Sequence, residues 1–412
     1  MANRNATPVT DTVNWDAIVE DFMFRKGLLE LEKAKHCCAP VIGELRPGVH
    51  YVRPADSTDA PTVLKPEWLI GGARLLWNHL QEQGYNPRID YWVRVINRPL
   101  NNISAGKWEE GFDLGCHRPH DSKIICGNNY AHEMLQKVAV KSRRLLEKGI
   151  FPKMLIVHAG DKPDDRSYRV QIQNAAVNIG VIIEEIELDE HPTAKELRER
   201  LFIYNNNPDI AGVLVQTIRD AAVDKAVREG LSKWKDPEMI DKSRMGDLYT
   251  AAPGIEVNAP CTAMSARAMI HLGFGGREKV AGNLIAILNN GPVIGSPVEA
   301  MLNRIDGAST FVTNHHFPRE RLVAITRQAD AIITATGKRG ILRPGDVKPG
   351  CVIVDCGIIR EGDRVVGDLN FEEMREVAGA ITPVPGGVGP GTTACLLRNL
   401  INQVSERHGW TD

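Results

Sequence analysis

The sequence lacks the features that mark membrane-embedded, secreted and nucleic-acid-binding proteins. No window approaches about eighteen uninterrupted apolar residues, which excludes an ordinary membrane-spanning helix. Residues 1–16 contain no apolar signal-peptide core. The formal net charge is only −2 over 412 residues, so the sequence offers no broad basic surface for nucleic acid. We therefore expect a globular protein without nucleic-acid or membrane partners.

Cysteine is also scarce, with eight residues in a chain of 412. That number is too small for a disulfide framework in a chain of this length. Most of the cysteines also lie in apolar runs, as Cys351 and Cys356 do in "CVIVDCG". These features predict reduced thiols and a cytoplasmic location.

One segment, "CHRPHDSKIIC", comes near a metal-binding pattern because it contains Cys116, His117, His120 and Cys126. These residue types can ligate zinc, but their spacing is not that of a zinc knuckle. We expect loop or core residues here and no metal site, with a metal site as the less favoured alternative.

Beyond about residue 150, short apolar runs alternate regularly with amphipathic segments. The apolar runs predict strands at 153–159, 181–188, 210–216, 282–289, 309–314, 331–336 and 351–357. The amphipathic segments predict helices at 166–180, 193–206, 319–329 and 371–380, and one that starts near Gly295. Alternation at these lengths is typical of an α/β fold with parallel sheets covered on both faces.

The first 128 residues have a different character. They contain amphipathic segments at 13–35 and 66–84, which predict helices, and a strand-like run at 88–97. The pattern indicates an α+β N-terminal extension, residues 1–128, whose role the sequence does not reveal.

The segment "TPVPGGVGPGTTA", residues 382–394, is unusually rich in proline and glycine. Pro383 and Pro385 fix the backbone and remove N–H donors. Gly386 and Gly387 carry no Cβ, so a planar ligand could approach the backbone closely. The residues alone leave two interpretations open, a ligand-binding loop and a tight structural turn before the helix that follows.

The chain resembles the bifunctional methylenetetrahydrofolate dehydrogenase/cyclohydrolase (FolD-like) family over about residues 130–405. The resemblance depends on motifs that occur in the family's order: "GDKPDDRSY", "AGVLVQ", "NAPCTA", "ADAIITATGK", "VKPGCVIVDCGI", "VVGDLNFEE" and "ITPVPGGVGPGTTACLL". It implies a two-lobed α/β protein, with a folate-binding catalytic domain at 129–255 plus a C-terminal helix at 391–408, and a Rossmann-like domain at 256–390. It also implies tetrahydrofolate and NAD or NADP as cofactors, small-molecule substrates and a homodimer.

Carried over by motif, the resemblance predicts where the folate binds. Tyr168, Gln216 and Asp236 would be catalytic and contact the substrate, with Glu238 as the second residue of an acidic pair. The Pro-Gly loop would border the pterin through Pro383, Val384, Pro385, Gly386 and Gly387.

The sequence departs from the family at the catalytic helix, where the family has Tyr-x-x-x-Lys. Tyr168 is present, but Ile172 stands at the lysine position. Isoleucine cannot transfer a proton or stabilise a charge, so we expect cyclohydrolase activity to be lost. Ile172 is equally compatible with an ordinary core position.

The predicted nucleotide site departs as well. Asn290 stands where an arginine would pair with the 2′-phosphate of NADP, so NAD is favoured over NADP, and a vestigial nucleotide site stays an alternative. The family pattern and its neighbouring positions predict cofactor contacts from Asn289, Asn290, Gly291, Gly295, His316, Thr336, Gly337, Ile358 and Thr393. Gly291 and Gly295 could still cradle a pyrophosphate.

Three functions follow from these residues. The first is a methylenetetrahydrofolate dehydrogenase without cyclohydrolase activity, because hydride transfer needs ring stacking more than a strong base. The second is a transferase that delivers the folate one-carbon unit to a small amine or aromatic acceptor. The third is a catalytically inactive folate-binding protein. We favour the first.

Overall fold

A computed structural model of the chain describes residues 40–46, 49–54, 62–63, 122–160, 163–189, 191–216, 220–250, 252–255, 257–314, 316–362 and 364–410. The predicted helices at 13–35 and 66–84, the strand at 88–97, and Cys116, His117 and His120 lie outside these residues. Three strands of the N-terminal extension are described and form an antiparallel sheet, β1 (Pro40–Arg46), β2 (Val49–Pro54) and β3 (Thr62–Val63). These three strands were not predicted from the sequence.

The chain divides into two compact units. One comprises residues 1–112, 136–156 and 161–186, and the other comprises residues 113–135, 157–160 and 187–412. Each unit is described by itself below.

The order of elements beyond residue 122 confirms the predicted alternation. The strands are β4 (Lys153–Ala159), β5 (Ile182–Leu188), β6 (Gly212–Val215), β7 (Leu284–Leu288), β8 (Ser309–Val312), β9 (Ala331–Thr334), β10 (Val352–Asp355), β11 (Ile359–Glu361), β12 (Arg364–Val366) and β13 (Ala380–Ile381). The helices are α1 (Gly127–Glu147), α2 (Pro163–Asn178), α3 (Ala194–Asn206), α4 (Ala221–Gly230), α5 (Lys242–Thr250), α6 (Cys261–Phe274), α7 (Gly295–Ala300), α8 (Arg319–Thr326), α9 (Phe371–Val377) and α10 (Val388–Arg407).

A five-stranded sheet in the order β13-β10-β9-β7-β8 organises the larger unit. All its pairings are parallel, as continuous Val- and Ile-rich runs predict. Successive side chains point to opposite faces, so Ile285 and Ile287 enter one buried cluster while Ala286 and Leu288 enter another. The sheet is therefore buried on both faces.

Local sequence signals explain several element ends. Thr193 caps α3 because its side-chain oxygen accepts a hydrogen bond from the N–H of Glu196 at 3.2 Å. Asp220 caps α4 in the same way, through the N–H groups of Ala222 and Val223. Gly275 ends α6 with φ of 75°, a left-handed conformation that glycine adopts without strain.

The structure corrects two expectations. The last helix, α10, begins at Val388 and so includes the end of the Pro-Gly segment, because glycine and proline can both occupy a first helical turn. The thiols are not all reduced, since Cys126 is disulfide-bonded, whereas Cys261, Cys351 and Cys395 are free and buried. Within the described residues, no helix is long and apolar enough to cross a membrane.

Candidate functional site

The Pro-Gly loop lies between β13 and α10 and is fastened at its first residue. The N–H of buried Thr382 donates to the carbonyl of Ile353 at 3.0 Å, and its hydroxyl accepts from the N–H of Asp355 at 2.8 Å. Val384 is half-buried and Pro385 is exposed. The loop is thus held at its base while its middle faces outward.

Backbone crowding explains why the loop contains consecutive glycines. The N–H of Gly127 donates to the carbonyl of Gly386 at 2.9 Å, and Gly386 has φ of 106°. A Cβ on Gly387 would lie 2.6 Å from the carbonyl oxygen of Pro383 and 2.7 Å from Cβ of Thr382. Gly387 is therefore required by the folding of the loop on itself, a different reason from the ligand approach that the sequence suggested.

The loop that follows β6 is only partly described. Gln216 is buried, and its N–H donates to the carbonyl of Val157 at 2.9 Å. The next residues, 217–219, lie outside the part of the chain that the structure describes. The described backbone therefore places Gln216 directly after the carboxyl end of the buried strand β6, where α/β proteins usually place ligand-contacting groups.

Asp236 stabilises the loop in which it lies. Its two carboxylate oxygens accept hydrogen bonds from the N–H of Glu238 at 3.1 Å and of Asp241 at 2.7 Å. Burial raises the pKa of Asp236 to about 6, against the lowering effect of those N–H donors. Both carboxylate oxygens accept hydrogen bonds from backbone donors and so stabilise the loop, while the catalytic role of Asp236 stays a prediction.

Glu238, the other acid of the pair, has fewer hydrogen-bond partners than Asp236 among the described residues. Among the described residues no side chain donates a hydrogen bond to its carboxyl group. Burial raises its pKa to about 8, and the neighbouring charge of Asp236 adds to this effect. The raised pKa favours the protonated form of Glu238, whose carboxyl group can both donate and accept a hydrogen bond.

Side chains of two helices, α6 and α10, hydrogen-bond to the loop that carries Asp236 and Glu238. These side chains were not predicted from the sequence. On α10, the amide of Gln403 donates to the carbonyl of Asp236 at 2.8 Å, and the amide of Asn399 donates to the carbonyl of Pro237 at 3.0 Å. From α6, the thiol of Cys261 lies 3.3 Å from the same carbonyl oxygen of Pro237. Buried amide side chains on an apolar helix were the signal that could have indicated this contact.

In the other unit, α2 carries the remaining predicted folate residues. Tyr168 is half-buried, and Ile172, one helical turn later, is fully buried. The next residue after Tyr168, Arg169, is buried and pairs with Glu185 at 3.1 Å. Ile172 therefore belongs to the core of this unit, the alternative that the sequence left open.

The loop predicted to bind the nucleotide, residues 289–297, follows β7 and is bridged by the side chain of Asn289. The carboxamide of Asn289 donates to the carbonyl of Ala335 at 2.7 Å and accepts from the N–H groups of Gly291 at 2.7 Å and Gly295 at 3.1 Å. Asn290 is exposed, and its carbonyl accepts from the hydroxyl of Ser296 at 2.9 Å. The two glycine N–H groups expected to cradle a pyrophosphate are therefore already hydrogen-bonded.

Two other predicted cofactor residues, Ile358 and Thr393, have properties that suit contact with a nucleotide. Ile358 is 68% exposed, which is unusual for an isoleucine and suits an apolar ring. The hydroxyl of Thr393 is buried on α10 and has no hydrogen-bond partner among the described residues. An unsatisfied buried hydroxyl suits a ligand with a polar group, since leaving it unpaired is costly.

The remaining predicted cofactor residues lie after β9, at Thr336 and Gly337, and after β8, at His316. Thr336 donates to the carboxylate of Asp368 through its hydroxyl at 2.9 Å, and Gly337 adopts φ of 65°. His316 is exposed, and its N–H donates to the side chain of Asn314 at 2.9 Å. No group of acidic, histidine or cysteine side chains in the described ranges is arranged to hold a metal ion.

Two protein-family models match consecutive parts of the chain. They are the catalytic domain of tetrahydrofolate dehydrogenase/cyclohydrolase over residues 125–237 and its NAD(P)-binding domain over residues 260–408. The bifunctional protein FolD of Variovorax paradoxus is 35% identical over 292 residues, which cover 69% of this chain and 98% of that protein. FolD of Methanospirillum hungatei is 34% identical over 266 residues, covering 64% and 92%.

Solved structures are similar over the same part of the chain. A 5,10-methylenetetrahydrofolate dehydrogenase from the silkworm, Bombyx mori, has a TM-score of 0.63 with 28% identity, covering 70% of this chain and 99% of that one. The Trypanosoma brucei FolD enzyme, complexed with NADP cofactor and inhibitor, has a TM-score of 0.63 with 26% identity, covering 69% and 98%. The chain therefore belongs to the tetrahydrofolate dehydrogenase/cyclohydrolase family and is an enzyme of the methylenetetrahydrofolate dehydrogenase type.

Proposed function

We propose that this enzyme oxidises 5,10-methylenetetrahydrofolate with a nicotinamide nucleotide and does not hydrolyse the methenyl product. The observation that carries the proposal is Ile172, a fully buried apolar side chain at the position of the family's lysine. Cyclohydrolysis requires proton movement during water attack, which isoleucine cannot assist. Hydride transfer requires two rings held close together, which does not depend on that lysine.

For the folate, the proposal relies on Glu238 and the Pro-Gly loop. The carbonyl oxygen of a protonated Glu238 can accept one hydrogen bond from the amino and ring N–H edge of a pterin, and its ionised form can accept two. Asp236 fixes the backbone of the loop that carries Glu238, through the N–H of Glu238 itself. The roles of Tyr168 and Gln216 remain predictions from the family pattern.

The nucleotide, when bound, supplies the hydride acceptor. We propose that Ile358 contacts its apolar surface and that the unpaired hydroxyl of Thr393 hydrogen-bonds to one of its polar groups. Asn290 replaces the arginine that would pair with a 2′-phosphate, and a carboxamide cannot form a charge-assisted fork. We therefore propose NAD as the preferred nucleotide.

The test is a paired assay on the purified full chain. Methylenetetrahydrofolate is added with NAD or with NADP, and the reduced nucleotide and the methenyl product are followed separately by absorbance. We expect reduction of NAD in preference to NADP, with methenyltetrahydrofolate accumulating. Preferential reduction of NADP, or enzyme-dependent disappearance of the methenyl product, would contradict the proposal.

One observation favours a second function, methylene transfer to a small amine or aromatic acceptor. Because Asn289 already uses the N–H groups of Gly291 and Gly295, the nucleotide would bind in a loop with fewer donors. An acceptor could then be used in place of a hydride acceptor. Consumption of methylenetetrahydrofolate only after addition of an acceptor, with neither nucleotide reduced, would identify the transferase. Loss of neither substrate nor nucleotide would indicate an inactive folate-binding protein.

Assembly is a separate proposal. The family pattern indicates a homodimer, and light scattering on the full chain tests it, with a monomer mass as the contradicting result.

A further inference from the structure

A cavity of about 540 Å³ opens beside α6 and α10, in the larger unit. Its lining includes Tyr130, Asn258, Met264, Arg398 and Asn402. None of its lining residues belongs to the predicted folate or nucleotide sites. The volume is typical of a pocket for a small organic molecule.

Arg398 lines this cavity, and no carboxylate of the described residues forms an ion pair with its guanidinium. Its Nη2 donates to the thioether sulfur of Met264 at 3.1 Å and to the side-chain oxygen of Asn399 at 3.1 Å. Its Nε is buried and has no hydrogen-bond partner among the described residues. A thioether is a weak acceptor, so most of the donor capacity of Arg398 is unused.

The other cationic groups of the cavity wall are already paired. Arg267 donates to both carboxylate oxygens of Asp306, at 2.7 and 2.6 Å, and His271 lies 2.9 Å from the same carboxylate. The side chain of Asp306 is fully buried, and the pKa of its carboxyl group is lowered to about 2 by Arg267 and His271, against the effect of burial. Arg398 is therefore the cation that a ligand in this cavity would meet.

The rest of the lining specifies the ligand further. The described lining contains no aspartate or glutamate, while Asn258 and Asn402 offer amide donors. Val257, Met264 and Leu272 provide apolar surface. Tyr130 supplies a hydroxyl that stays protonated, because burial raises its pKa. The cavity thus combines one unpaired guanidinium with an apolar wall.

We propose that this cavity binds a small organic carboxylate, with the carboxylate on Arg398 and an apolar body against Val257, Met264 and Leu272. A planar guanidinium fork matches a carboxylate bidentately, and such charge-assisted pairs are stronger than neutral hydrogen bonds. Inorganic phosphate satisfies only the charged end of the cavity. The site is independent of the proposed reaction.

The experiment is calorimetric titration of the full chain with benzoate, hexanoate and inorganic phosphate at constant ionic strength. We expect saturable binding of at least one of the two carboxylates, and weaker or no binding of phosphate. In Arg398→Gln, which keeps the size of the side chain but loses its charge, carboxylate affinity should fall about tenfold or more. Arg321→Gln, at an exposed arginine on α8, is the matched control and should bind like the wild type.

Ala268→Trp gives a second variant, because it fills the cavity and leaves Arg398 in place. It should also abolish carboxylate binding, and thermal unfolding of each variant establishes that it is folded. The proposal is overturned if the wild type binds neither carboxylate, if phosphate binds as tightly as both, or if folded Arg398→Gln binds carboxylate with unchanged affinity.

Discussion

Replacing Asn289 with glycine should weaken the fold and strengthen nucleotide binding at the same time. The carboxamide of Asn289 makes three hydrogen bonds, one to Ala335 and two from the N–H groups of Gly291 and Gly295. At about 1 kcal/mol for each neutral hydrogen bond, their loss should lower the free energy of unfolding by about 3 kcal/mol. The two freed N–H groups then become available to an anionic phosphate.

One recovered hydrogen bond to a charged phosphate contributes about 1.5 kcal/mol, which corresponds to roughly a tenfold tighter dissociation constant for NAD. Calorimetric titration with NAD measures this change, and denaturant unfolding measures the stability. Both are performed on Asn289→Gly and on the control Asn290→Gly, whose exposed side chain lies at the adjacent position.

The two variants should differ in stability and in NAD affinity. Asn290→Gly should keep near-native stability, because the hydrogen bond to Ser296 uses the backbone carbonyl of residue 290. It should not show the gain in NAD affinity, because the N–H groups of Gly291 and Gly295 stay hydrogen-bonded to Asn289. If Asn289→Gly binds NAD no more tightly than the wild type while remaining folded, the carboxamide does not compete with the phosphate. If both variants lose the same stability, the three hydrogen bonds of Asn289 are not what stabilises the loop.

Three further predictions concern buried groups. Gly127→Ala should destabilise the enzyme in denaturant titration, because its Cβ would lie 1.6 Å from the carbonyl oxygen of Gly387, whereas Gly246→Ala, with open space, should not. Asp306→Asn should lower the free energy of unfolding by about 3–5 kcal/mol, since it leaves buried cations without their charge partner. The pKa of Asp306 is lowered to about 2, so its contribution is present at neutral pH and lost as acid titration approaches pH 2; an Asp306→Asn enzyme with an unchanged acid-unfolding profile would contradict this. The pKa of Glu238 is raised from 4.5 to about 8, so stability should decline as pH rises between these values, and Glu238→Gln should remove that slope.

The sheet order and element types were largely predictable because they depend on repetitive signals. Continuous apolar runs such as Val352–Asp355 predict buried parallel strands, and the structure confirms them. Element ends were less predictable where tertiary contacts decide them. The start of α10 at Val388 is fixed in part by the hydroxyl of Ser265, which donates to the carbonyl of Val388 at 2.7 Å and is distant in sequence.

The chemistry of the site was predictable by residue type but not by contact. Asp236 was predicted to be catalytic and Glu238 to be the second residue of the acidic pair, but only the local backbone shows that Asp236 accepts hydrogen bonds from two N–H groups. Asn289 illustrates the same limit, because its replacement of a glycine was visible but its hydrogen bonds were not. The guanidinium of Arg398 could not be predicted to lack a carboxylate partner, since this depends on which side chains lie opposite it. The neighbouring helix α6 carries no aspartate or glutamate.

The central claim is that the enzyme oxidises methylenetetrahydrofolate without hydrolysing methenyltetrahydrofolate. The most direct measurement adds methenyltetrahydrofolate to the purified chain and follows its loss against buffer alone, alongside NAD reduction by methylenetetrahydrofolate in the same preparation. We expect methenyl loss at the buffer rate together with enzyme-dependent NAD reduction. Methenyl hydrolysis well above the buffer rate, with Ile172 intact, would contradict the account.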